Sequence, residues 1–148
     1  MNILVLHGPN LNLIGVRSAQ VGERITLDKI DKALKKKSRE LNITLKTLQT
    51  HHVGKAITFL QRNRNWADGL LFSPGPWAKN HYDILDTLKL IQIPTVEIFF
   101  DSKFDPESYA KSSIFSDVAI ATRKAHPIES YISALTILHA HLSSQQNS

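Results

Sequence analysis

Ile3–Leu6 is a short apolar run that stops at His7-Gly8-Pro9-Asn10. An apolar run of this length, closed by a Gly-Pro-Asn break, has the pattern of a buried strand that feeds straight into a loop. That loop carries Asn10, Asn12 and then Arg17. In an open α/β sheet, ligands bind at the loops that follow the carboxyl ends of strands. The chain therefore opens with a polar loop placed where a ligand would be held.

The rest of the chain alternates in the same style. Leu27, Ile30, Leu34 and Leu41 fall at helical spacing, with Thr26 suited to the N-cap and Asp28 to the first turn. Ile43–Leu48 partly alternates apolar with polar residues, as a half-exposed edge strand does. Lys55–Arg64 has a helical apolar face made by Ala56, Phe59 and Leu60. Gly69–Phe72 is a second buried run, cut off by Ser73-Pro74-Gly75-Pro76. A helix over His81–Leu90, a strand over Pro94–Phe100, a helical turn within Asp105–Lys111 and a short strand over Asp117–Ala121 follow. Pro127 opens a last helix that is expected to end near Leu142. The polar residues Ser143–Ser148 are expected to be a disordered tail, leaving residues 1–142 as one domain.

Short strands separated by helices imply a parallel sheet covered on both faces. The natural arrangement is a flavodoxin-like three-layer sandwich with five strands in the order 2-1-3-4-5. Right-handed crossovers then bring the loops Gly8–Arg24, Ser73–Asn80 and Asp101–Ser113 to one end of the sheet.

Composition narrows the chemistry. With no cysteine among 148 residues, disulfides, zinc–thiolate sites and cysteine nucleophiles are excluded. No run approaches membrane-spanning length, and no basic-then-apolar leader precedes the first strand, so a cytoplasmic protein without membrane contact is expected. The net charge is +5, and Lys35-Lys36-Lys37 is the one dense basic cluster. On a helix it is a solvated face rather than a nucleic-acid surface, although excess positive charge also steers anionic substrates. His51-His52 has the look of a metal pair, but neighbouring side chains at a strand end point to opposite sides and no third ligand is suitably spaced. Neither metal nor cofactor is expected.

The opening block Gly8-Pro9-Asn10-Leu11-Asn12-Leu13-Ile14-Gly15-x-Arg17 resembles the signature of the type II 3-dehydroquinases. The resemblance extends over nearly the whole chain. Thr26-Leu27-x-x-Ile30, Gln49-Thr50-His51-His52-Val53-Gly54, Pro74-Gly75, Asp86, Ile93-Pro94-x-x-Glu97 and Ser113-Ile114-Phe115-Ser116 are similar to family stretches in order. The resemblance implies a lyase of the shikimate pathway that removes water from 3-dehydroquinate to give 3-dehydroshikimate. It also implies a homo-oligomer, a dodecamer built as four trimers, in which Asp86 would reach a neighbouring subunit's pocket.

In that family a lid tyrosine, helped by an arginine, takes a proton beside a ketone, and a histidine at the end of strand four helps the hydroxyl leave. Arg17 matches the arginine. The tyrosine position falls on Gly22, or on Val21 if the register shifts by one, and the chain's tyrosines are Tyr82, Tyr109 and Tyr131. The family's Glu-Val-His-Leu-Ser-Asn reads Glu97-Ile98-Phe99-Phe100-Asp101-Ser102, so Phe99 stands in for the histidine. Pro106 and Ala110 replace two loop arginines, Ser73 an asparagine and Lys79 a histidine. Loss of one proton-transfer group costs about 10²–10⁴ in rate, so weak or absent dehydratase activity is expected.

What remains is a changed pocket. Arg17, Asn10 and Glu97 are the expected catalytic positions. Asn12, Ser73, Gly75, Lys79, His81, Asp86, Phe100 and Asp101 are the expected substrate contacts. Glu97, in an otherwise apolar strand, suits a buried carboxylate that holds neighbouring loops better than it suits direct catalysis. Trp77 could stack on a planar ligand or pack on the Pro74–Pro76 turn, Lys79 could be a cationic contact or a solvated lysine, and His81 could be an acid–base group or a surface residue at a helix start. Three functions compete: an altered lyase, a non-catalytic binder of a small anionic metabolite, and a structural or regulatory partner in an oligomer.

Overall fold

The computed structural model describes residues 1–146. Its centre is a five-stranded parallel sheet in the order β2-β1-β3-β4-β5, as the sequence pattern predicts. The strands are β1 (Asn2–His7), β2 (Thr44–Gln49), β3 (Gly69–Ser73), β4 (Thr95–Phe100) and β5 (Ala121–Ala125). The helices are α1 (Ile14–Gln20), α2 (Leu27–Glu40), α3 (Val53–Asn63), α4 (Tyr82–Ile91) and α5 (Pro127–Gln146).

The three central strands are buried on both faces because each face carries its own helical layer. Ile3, Val5, Leu71, Val96 and Ile98 point to one side, against Ile30 and Leu34 of α2 and Tyr131, Ala134, Leu135 and Leu138 of α5. Leu4, Leu6, Leu70 and Phe72 point to the other, against Ala56 and Leu60 of α3 and Ile84, Leu85 and Leu88 of α4. This alternation is the two-residue period of a strand, and it sends each strand's side chains into two separate cores. Burying each such aliphatic side chain is worth about 1.5–3 kcal/mol. Thr26 does cap α2, its hydroxyl accepting from the Lys29 amide at 3.2 Å.

The structure corrects the sequence reading at four places. The fifth strand lies at Ala121–Ala125, not Asp117–Ala121. The apolar residues Val118 and Ile120 suggested a strand, but Asp117 ends a 3-10 turn and Val118 packs into the α3/α4 core. The polar Ala-Thr-Arg-Lys-Ala is strand because it pairs with β4 at the sheet edge, where one side faces water. Second, the segment after β1 is not a plain loop. A 3-10 turn at Leu11–Leu13 runs into α1, with Ile14 and Ser18 buried. The Ser18 hydroxyl accepts from the Ile25 amide at 3.0 Å and lies 3.0 Å from the Ile25 carbonyl, which ties the end of the segment to its start. Third, α5 continues to Gln146, past Leu142, and the rest of the expected tail, residues 147–148, lies outside the described residues. Fourth, His51 and His52 fall beyond β2, and their rings stack 4.4 Å apart instead of opposing each other. No group of three His, Cys, Asp or Glu that could hold a metal occurs among the described residues. Nor is any described helix long and apolar enough to cross a membrane.

Gly8 fixes how the two central strands end. Its amide donates to the Ser73 carbonyl at 2.8 Å. A Cβ on Gly8 would sit 2.8 Å from the carbonyl oxygens of both Ser73 and Pro74, which are backbone and cannot turn away. Gly8→Ala should therefore lose about 1–3 kcal/mol of stability, read from the urea midpoint. An unchanged midpoint would show that the strand ends have room to part.

Candidate functional site

The loops expected to converge do converge. At the carboxyl end of the sheet they enclose a cavity of about 250 Å³. Pro9, Asn10, Leu11 and the α1 residues Ile14, Val16, Arg17 and Gln20 form one side. Ser73, Gly75 and Pro76 form the floor, and Ile98, Phe99, Phe100, Phe104, Asp105 and Tyr109 form the far wall. The lining is largely apolar and carries a few convergent polar groups, the usual character of a small-molecule site.

Of the expected residues, Asn10, Arg17, Ser73, Gly75 and Phe100 line this cavity. Asn10 and Gly75 hold the left-handed backbone, with φ of 69° and 54°, that turns the chain into the two rim segments. The remaining expected residues are placed elsewhere. Glu97 is fully buried one layer behind the wall. Its carboxylate accepts from the hydroxyls of Ser113 at 2.8 Å, Ser116 at 2.6 Å and Thr122 at 2.5 Å. It is thus a strut that ties β4 to β5 and to the loop between them, the loop-holding role that its place in an apolar strand suggested. Asn12, Lys79 and Asp86 are exposed and absent from the lining. His81 lies 3.5 Å from Asp83 at the start of α4. Asp101 uses its carboxylate on the Lys103 amide at 3.2 Å, which shapes the turn after β4. Trp77 is buried against Phe72, so it packs under the turn rather than facing a ligand.

The structure also supplies groups that sequence reasoning missed. Tyr109 brings a phenol into the cavity from the wall opposite the lid, and Asp105 brings a carboxyl. Burial raises the Asp105 pKa above its ordinary value, opposed by backbone amide bonds and by the charges of Lys124 and Arg17. Burial also raises the Tyr109 pKa, assisted by Glu107 and Asp105 and opposed by Arg17. The phenol is therefore a neutral hydroxyl at physiological pH, a hydrogen-bond donor and not a base. Arg17 is the one cation on the lining among the described residues. The end of the segment after β1 is tied to the segments after β4 and β5 by Glu23, whose carboxylate meets His126 at 3.0 Å and Lys103 at 3.6 Å.

Behind Ser73 lies a second missed cluster. The Ser73 hydroxyl is 2.5 Å from the Tyr131 hydroxyl, which is 2.6 Å from Nδ1 of His7. His7 Nε2 is 2.9 Å from an Asp31 oxygen. Two sequence signals point to the pair at its centre. His7 continues the parity of Ile3 and Val5, and Tyr131 begins the apolar stripe of α5, so both belong to the α2/α5 core.

Comparison with known proteins agrees with this architecture. A family model described as "Dehydroquinase class II" matches residues 1–139. The chain belongs to the class II dehydroquinase family. A 3-dehydroquinate dehydratase of Prochlorococcus marinus strain MIT 9301 is 34% identical over 143 residues, covering 97% of each chain. One from Roseiflexus castenholzii is 36% identical over 121 residues, 80% of this chain and 76% of the relative. The crystal structure of a type II dehydroquinase from Butyrivibrio crossotus superposes with a TM-score of 0.84 at 26% identity, covering 93% of this chain and 97% of the other.

The cavity lining holds a buried carboxyl, Asp105, together with the cation Arg17. The folded-state pKa of Asp105 lies above the unfolded value, so the folded form binds that proton more tightly. The ionised carboxylate then costs stability once the pH rises through the raised pKa, and the cost vanishes as the pH falls to the unfolded value. Asp105→Asn should melt above the wild type at pH 7, with the difference shrinking toward pH 4. A variant that melts below the wild type at pH 7 would show the charge to be stabilising.

Proposed function

We propose that this dehydroquinase-family chain binds a small cyclic carboxylate in the cavity and performs the family's water elimination weakly or not at all. The observation that carries this reading is the wall at the position resembling the family's general acid. That position is Phe99, a buried side chain with no proton to give. The position resembling the lid base, Gly22, has φ of 76° and nothing within 4 Å of a would-be Cβ. Tyr109 does not replace that base, because its phenol is held neutral. Arg17 supports recognition of a carboxylate, and the aromatic wall of Phe99, Phe100 and Phe104 suits a ring.

The oligomer belongs to the same proposal. Asp86 is exposed on α4, away from its own chain's cavity, and is free to complete the pocket of a neighbouring copy in a trimer or dodecamer. A cytoplasmic location agrees with the absence of cysteine. The second reading, a structural or regulatory partner without a ligand, gains support if no shikimate-pathway acid stabilises the protein.

With 3-dehydroquinate, the formation of conjugated product should run about 10²-fold or more below that of the Prochlorococcus marinus relative assayed beside it. Addition of 3-dehydroshikimate should raise the melting temperature. Turnover equal to the relative's would overturn the reading. Gly22→Tyr combined with Phe99→His should restore measurable elimination if the cavity still seats the ring. No gain from a stably folded double variant would show that recognition has diverged as well.

A further inference from the structure

We infer that Asp31, His7, Tyr131 and Ser73 form a proton relay that makes Ser73 the proton acceptor for a ligand in the cavity. The inference rests on the proposed ligand class. The relay joins four elements, and its two ends differ in character. Asp31, on α2, is 32% exposed, while His7 is fully buried. Ser73, at the far end, lines the cavity floor. Strand register places the relay, since His7 of β1 is the direct partner of Ser73 of β3.

The hydrogen-bond directions follow from the donor inventory. In the relay the Asp31 carboxylate accepts from His7 Nε2, 2.9 Å away. Nδ1 is then an acceptor, and the Tyr131 hydroxyl must donate to it across 2.6 Å. That leaves the Tyr131 oxygen to accept from Ser73 at 2.5 Å. Every proton in the relay points away from the cavity, and the Ser73 oxygen keeps a lone pair that the relay does not use. Burial holds the Tyr131 pKa far above the ordinary phenol range, so Tyr131 passes a proton on without staying ionised.

The transfer balances. A C–H bond beside a ligand ketone breaks, and its electron pair stays on the ligand as an enolate. The proton goes to Ser73 Oγ while the Ser73 proton moves to Tyr131 and the Tyr131 proton moves to His7 Nδ1. His7 becomes an imidazolium facing the Asp31 carboxylate, so the charge created at the buried end meets a counter-charge. With Phe99 at the position of the leaving-group acid, the chain should enolise a cyclic keto acid without expelling water. Ser73 is the catalytic residue in this step. His7, Tyr131 and Asp31 act through it as positioning residues.

The test follows exchange of solvent deuterium into the methylene beside the ketone of 3-dehydroquinate by proton NMR, using the full chain in D₂O. The wild type should exchange this position about 10²-fold faster than buffer. Ser73→Ala and Tyr131→Phe should fall to the buffer rate while the ligand still raises the melting temperature. The nitrogen spectrum of the ligand-free protein should show His7 protonated on Nε2, with Nδ1 moving in Tyr131→Phe. Exchange at the buffer rate with the ligand bound would overturn the relay and leave the proposed binding function standing. No binding of 3-dehydroquinate would overturn the proposed ligand instead. The relay is then decided by His7 alone: a proton on Nδ1 of neutral His7 refutes it, and one on Nε2 with the Tyr131→Phe response supports it.

Discussion

The Gly8 amide donates to the Ser73 carbonyl at 2.8 Å, and no side chain fits between the two strand ends. Most of the site depends on this contact. It holds β1 and β3 together at the point where both turn into rim segments, and it keeps His7 and Ser73 side by side in register. The floor of the cavity is therefore backbone and small side chains. Walls come from the segments after β1 and β4, which are the two places where the chain has most freedom to change its chemistry.

Around that floor the polar groups are unevenly spread. The wall at β4 is aromatic, and the polar groups sit either on the rim, as Arg17 does, or just behind the lining, as Glu97 and Tyr131 do. Glu97 shows why a buried charge is a poor guide to catalysis by itself. It is held by three hydroxyls and ties β5 to the rest of the sheet. Placed in low dielectric without such partners, a carboxylate would cost several kcal/mol. The pairing of Glu23 with His126 and Lys103 has a similar logic nearer the surface, where it ties the segment after β1 to those after β4 and β5.

The fold was legible in the sequence because β1 and β3 are apolar runs that stop at Gly and Pro, and because α2 carries a clean apolar stripe with its Thr26 cap. Sheet order and the end at which the loops meet followed from those elements. β5 was misplaced because an edge strand needs little apolar residue, and the apolar Val118–Ile120 beside it served a turn instead. The cavity was legible where the opening block carried it, at Asn10 and Arg17, at Ser73 and Gly75 after β3, and at Phe100 at the end of β4. Lys79, His81 and Asp101 lie close in sequence to the rim segments, yet Lys79 is exposed at the end of a 3-10 turn, and His81 and Asp101 are half-buried beside Asp83 and the Lys103 amide, off the lining. Tyr109 and Asp105 were missed because the path of a loop is set by tertiary packing, here the burial of Phe104 beside His126, and not by any local period. His7 and Tyr131 lay in plain apolar patterns: strand parity turns His7 to the α2/α5 side, and the apolar stripe of α5 carries Tyr131 into the same core.

The central claim is that the framework keeps a seat for a cyclic carboxylate on the floor made by β1 and β3, while no imidazole or phenolate stands ready at the leaving-group side. A crystal structure of the oligomer with 3-dehydroshikimate tests it most directly. The account predicts the carboxylate on Arg17, the ring on Ser73 and Gly75, and Phe99 where the leaving hydroxyl would depart. A ring seated elsewhere, or a histidine from any subunit within hydrogen-bond reach of that departing position, would contradict it.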